Sequence, residues 1–144
     1  MRTLILILLT AACSHEYQTP AKNLVLIQGD HLDDSSWNTV RNRLDPNAFD
    51  LTDLNRLGRD TSKPASLSKI AELGCKEIPR NSIVVAHSYG GAITNQMVGV
   101  CPEKISKIIY VSALVPLNGE KPYSGLSQSD HEAYARAIAV KSSK

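Results

Sequence analysis

Ile83-Val84-Val85-Ala86-His87-Ser88-Tyr89-Gly90-Gly91 reads as an apolar strand that runs straight into a tight turn and then into a helix. An unbroken apolar run such as Ile83 to Ala86 suits a strand buried on both faces of a parallel sheet. The helical pattern that follows puts Ala92, Ile93, Met97 and Val100 on one inward face and stops before Pro102. Ser88 stands in the turn between the two. Ala86, two residues before it, and Gly90, two residues after it, are small enough for the strand and helix to pack without collision. Gly91 adds room for close packing. Such a turn pushes a serine hydroxyl into the open above a helix N-terminus, where backbone N–H groups favour a developing oxyanion.

The same alternation extends in both directions. Leu24-Val25-Leu26-Ile27 is another apolar run, ending at Gly29. Asp34, Ser35 or Ser36 can cap a helix with Trp37, Val40 and Leu44 on one face, stopped by Pro46. Phe49 to Leu54 reads as a strand, residues 58–64 as a loop, and Ser66 as the cap of a short helix carrying Leu67, Ile70, Ala71 and Leu73, closed by Gly74. After the central turn comes a strand at Ile108 to Val111, a turn at Asn118-Gly119, and a last helix capped by Asp130 that includes Tyr134, Ala135 and Ile138. Strands and helices in alternation predict a three-layer α/β/α sandwich with a mainly parallel sheet. Ligands bind such sheets at the carboxyl ends of the strands. The loops of interest are therefore 28–36, 54–66, 88–91 and 112–124.

Composition narrows the function classes. The 144 residues are one domain in length, 42% hydrophobic and 21% charged, with a formal net charge of +2. No cluster of Lys and Arg points to nucleic acid. No Cys/His spacing resembles a metal site. The N-terminus has a short positive start at Met1-Arg2, an apolar run from Leu4 to Leu9, then Thr10-Ala11-Ala12-Cys13. That is the order of a secretory signal, and the cysteine after two alanines resembles a bacterial lipobox. The expected organisation is a signal segment over 1–13, a tether over 14–22 and a single domain over 23–144, whose residues 118–144 begin a cap region. Export follows, to the periplasm or to a membrane held through lipidated Cys13. Cys75 and Cys101 are expected as two buried thiols, although an exported protein permits a disulfide.

Three stretches together resemble the α/β-hydrolase superfamily: 24–30 through Trp37, 83–91, and 108–116. The likeness is strongest to the small esterase and hydroxynitrile lyase branch and covers roughly Asn23 to Glu120. That branch has a His-Gly turn after its first strand. Here Gln28 replaces the His, while Gly29 and Trp37 match. The resemblance implies a partial α/β-hydrolase fold, Ser88 as nucleophile, and an oxyanion hole from the backbone N–H groups of Asp30 and Tyr89. The Asp30 carboxylate is then expected to point to solvent or to a helix N-terminus. It implies a small ester-like or related acyl substrate and no cofactor.

A serine hydroxyl needs a base to remove its proton. In this fold the order is Ser, then Asp or Glu, then His, and both partners are expected after the fourth strand and beyond these 144 residues. Three residues present are weak substitutes: His131 in the cap region, Glu120 after the fourth strand, and His31 in the first loop. The side chain of His87 is expected to diverge from Ser88, and Asp53 and Asp60 to serve loop turns. The fourth strand is expected at an open sheet edge. The leading function is a serine hydrolase. The alternatives are a catalytically silent remnant or binding module of the same fold, and a lyase. Oligomeric state is left open.

Overall fold

The computed structural model describes residues 20–29, 32, 35–54 and 65–142. It contains one sheet of four strands in the order β2-β1-β3-β4, and every neighbouring pair is parallel. The strands are β1 (Lys22–Ile27), β2 (Phe49–Asp53), β3 (Ser82–His87) and β4 (Ile105–Val111). The helices are α1 (Asn38–Arg41), α2 (Leu67–Glu77), α3 (Gly90–Val100) and α4 (Gln128–Ser142), with a 3-10 turn at Pro102–Lys104.

The two central strands have both faces covered, as their apolar runs predict. From β1, Val25 and Ile27 join Val84 of β3 in a core against α2 and α3, with Leu54, Ile70, Ala71, Ile93 and Met97. Leu24 and Leu26 turn to the opposite face and pack with Trp37, flanked by Leu44, Phe49, Ile83 and Val85. The sandwich has its three layers, but they are unequal. Two eleven-residue helices cover one face, and four-residue α1 covers part of the other.

Several helix details depart from the sequence pattern. Trp37 itself opens α1 without a side-chain cap, and Val40 faces outward at 39% exposure. Trp37 and Leu44 pack over β1 on that face. Ser66 does cap α2, accepting from the Lys69 N–H at 3.2 Å. Gly74 does not close that helix: it is buried within it, and α2 runs on to Glu77 before Pro79. Packing against α3 overrides the glycine stop signal. Val100 points outward at the end of α3. Ser127, not Asp130, starts α4: its hydroxyl accepts from the Asp130 N–H at 3.2 Å and donates to the Asp130 carboxylate at 2.6 Å. The carboxylate lies in the first turn, where the helix dipole favours it. Asp53 ends β2 and pairs with Arg41 at 2.9 Å rather than serving a turn.

Cys75 and Cys101 are joined in a disulfide, which corrects the expectation of two free thiols. Their Cα atoms are 6.1 Å apart, and the bond ties the last turn of α2 to the end of α3. Spacing alone conceals this, since 26 residues and a whole strand separate the two positions. Both helices end at the same pole of the molecule. Beside the bond, the Lys104 ammonium donates to the carbonyls of Cys75 and Ile78, at 2.6 and 3.1 Å, where the C-terminus of α2 leaves them without helical donors. Among the described residues β4 pairs with β3 alone, and Ile109, Tyr110 and Val111 are 39–45% exposed.

Candidate active site

The direction of strand addition reverses between β1 and β3. From β1 the chain adds β2 on one side and then crosses to add β3 and β4 on the other. In open parallel sheets the crevice at such a reversal is where ligands bind. Its two walls are the residues that leave β1, Gln28 and Gly29, and those that leave β3, Ser88 and Tyr89.

Ser88 has φ +52°, the left-handed region that a side chain disfavours. Holding a non-glycine residue there costs about 1–3 kcal/mol, and the surroundings fix it. The Ser88 N–H donates to Val111 O at 3.4 Å, and its carbonyl accepts from Gly91 N and Leu114 N at 3.0 and 2.9 Å. The turn then enters α3 directly at Gly90. This is the strand, strained residue and helix arrangement that presents a nucleophile above the positive end of a helix dipole.

The small residues have individual reasons. A methyl group at Gly90 would stand 2.6 Å from Ile27 O and 3.0 Å from Gln28 O. One at Gly91 would stand 2.5 Å from Leu114 O. Ala86 is fully buried between strands. At Gly29 an added methyl would lie 2.7 Å from Ser88 Cβ, 3.1 Å from Ser88 Oγ and 3.3 Å from His87 Nδ1. Gly29→Ala is therefore expected to displace the Ser88 side chain while leaving the sheet intact. Circular dichroism should match wild type, and the reaction of Ser88 with an acylating or phosphonylating probe should fall by tenfold or more, about 1.4 kcal/mol.

His87 Nδ1 and Ser88 Oγ both border the space beside Gly29. The His87 ring meets Trp37 edge-on, at 6.3 Å and 87°. Tyr89 stacks on Tyr123 from the segment after β4, at 5.6 Å and 23° between planes. Gln28, in place of the expected His, is buried and donates to Leu32 O at 3.3 Å, which spans the first loop. Burial raises the Tyr110 hydroxyl above its ordinary value near 10, which keeps it a donor to Asn95 Oδ1 at 2.9 Å. Sequence marks Gln28 only as the replacement for a His and gives Asn95 no signal, because an amide carries no pattern until its partners are placed.

Of the suggested base and acid positions, His131 and Glu120 lie among the described residues. His131 is exposed on α4. The Glu120 carboxylate accepts from Leu117 N at 2.9 Å in an exposed turn. Asp30, His31, Asp60 and Cys13 lie outside the described residues. Among the described residues, no side chain is hydrogen-bonded to Ser88 Oγ. Within the same set, no group of three or more His, Cys, Asp or Glu is placed to hold a metal ion, and no helix is long and apolar enough to cross a membrane.

A parallel sheet in this order, with a left-handed serine between β3 and α3, is a partial α/β-hydrolase fold. Its curated relatives are esterases. They include the pimeloyl-[acyl-carrier protein] methyl ester esterases of Yersinia enterocolitica, 34% identical over 93 residues, and of Wigglesworthia glossinidia brevipalpis, 34% identical over 109. These matches take in 63% and 74% of this chain but 36% and 42% of the relatives, so the chain spans less than half their length. An extracellular α/β-hydrolase from a Paenibacillus species superposes with a TM-score of 0.71 at 17% identity, over 84% of this chain and 52% of that one. Polyneuridine aldehyde esterase superposes at 0.55 with 22% identity, over 81% and 48%. No protein-family model matches.

Proposed function

We propose that this chain is the nucleophile-bearing part of an esterase that hydrolyses a small carboxylic ester through an acyl intermediate on Ser88. The observation that carries this reading is the left-handed Ser88 at the strand-reversal crevice. A base takes the Ser88 proton, Oγ attacks the ester carbonyl, and the alcohol departs. Water then releases the acid. The tetrahedral oxyanion forms above the start of α3, where the backbone N–H of Tyr89 and, on family resemblance, that of Asp30 receive it. The acid and the histidine base come from outside the described residues. Methyl esters are the first substrates to try, since the curated relatives are named for them.

The disulfide and the signal-like start of the sequence support a protein that is exported, with Cys13 as a lipid attachment point. A second reading is a silent binding module, favoured by the positions of His131 and Glu120, which are exposed away from the turn among the described residues. A fluorophosphonate probe separates the two. The esterase reading expects one covalent adduct, mapped by mass spectrometry to Ser88 and lost in Ser88→Ala. A Ser88 that stays unmodified even in a chain extended to the full length of its relatives would favour the silent module, whereas labelling of the extended chain alone would mean that the base lies beyond these residues.

A further inference from the structure

The densest set of contacts around the turn comes from the stretch that follows β4. Val111 O and Leu114 N bracket Ser88, accepting from its N–H and donating to its carbonyl. Leu114 O and Ala113 Cβ lie so close to Gly91 that no side chain fits there. Ser112 is itself left-handed, at φ +43°, so the stretch bends sharply to reach the turn. One side chain fastens it from the helix. Asn95, a turn into α3, donates through Nδ2 to Pro116 O at 2.8 Å and accepts through Oδ1 from the Tyr110 hydroxyl at 2.9 Å. The amide thus joins the last part of β4, the strap at 112–116 and the helix that carries the nucleophile turn.

We propose that Asn95 is a positioning residue, which holds the 112–116 strap against the turn so that Ser88 keeps its reactive conformation. The proposal rests on reading Ser88 as the nucleophile. Asn95 never meets the ester. It acts through Leu114, whose N–H secures the Ser88 carbonyl and thereby the left-handed backbone. A wholly buried hydrophobe at 95 would fill space, but it would leave the Pro116 carbonyl without its donor. Both ends of the amide are used, so neither a carboxylate nor an alkyl chain reproduces it.

Asn95→Asp tests this at constant size: it keeps an acceptor for Tyr110 and loses the donor to Pro116. Tyr110→Phe removes the other bond and leaves the strap fastened. Two readouts are taken on the full chain: the rate of Ser88 phosphonylation by a fluorophosphonate, and amide hydrogen exchange. For Asn95→Asp we expect exchange at Leu114 to rise and phosphonylation to slow, each by about tenfold, with β3 amides unchanged. Tyr110→Phe should shift both by much less. Wild-type exchange at Leu114 in Asn95→Asp would overturn the proposal, as would unchanged phosphonylation of a reactive Ser88. If wild-type Ser88 does not react even in a chain extended to the full length of its relatives, the esterase reading fails. Leu114 exchange then decides alone whether Asn95 holds the strap.

Discussion

Gly90→Ala is expected to destabilise the fold by about 3 kcal/mol or more, at or beyond the upper end of ordinary overpacking costs. The added methyl would stand 2.6 Å from Ile27 O and 3.0 Å from Gln28 O. Both are backbone atoms where the central strand β1 ends, so neither can swing aside as a side chain would. The helix must lift away from the sheet, and with it the turn that leads into it, Ser88 and Tyr89. Stability and probe reactivity should fall together. Gly99, in the same helix, is the control, since a methyl there meets nothing within 4 Å. Gly99→Ala should stabilise by roughly 0.5–1 kcal/mol, the helix-propensity gain. Denaturant midpoints of the two variants should move in opposite directions. A Gly90→Ala protein as stable as wild type would mean that α3 is not pressed onto the end of β1.

The second large effect concerns the disulfide. Removing it by Cys75→Ser with Cys101→Ser should lower stability by about 3.5 kcal/mol, the chain-entropy value for a loop of this size. That corresponds to a melting temperature lower by about 10 °C in a domain this small. The serine hydroxyls would also be buried where two sulfur atoms, 6% and 4% exposed as residues, now sit. The cost should therefore not fall below the entropic figure. A thiol reductant should produce a comparable drop in the wild-type chain and none in the double variant. Equal melting temperatures for oxidised wild type and double variant would remove the disulfide as a structural bond and weaken the case for export.

Much of this architecture was legible beforehand because the strands carry unbroken apolar runs. Leu24–Ile27 and Ile83–Ala86 can be so uniformly apolar only if both faces are covered. The turn at Ser88 was legible for a related reason: small residues at 86 and 90 have no other evident use between an apolar strand and an apolar helix. What the pattern concealed were features set by tertiary contact. Cys75 and Cys101 meet because α2 and α3 end together, a fact about helix lengths that Gly74 obscured. Val40 and Val100 have helical spacing toward a core, yet α1 is too short and α3 ends too soon to deliver them. Gln28 and Asn95 gain their roles from the carbonyls of Leu32 and Pro116, which no local pattern places near them.

The most direct test of the central claim is a structure of the chain after treatment with a fluorophosphonate. The account predicts phosphorus bonded to Ser88 Oγ, at the end of β3, with its phosphoryl oxygen held by the Tyr89 N–H at the start of α3. Phosphorus on another side chain, or a Ser88 hydroxyl turned into the packed interior and left unmodified, would contradict it.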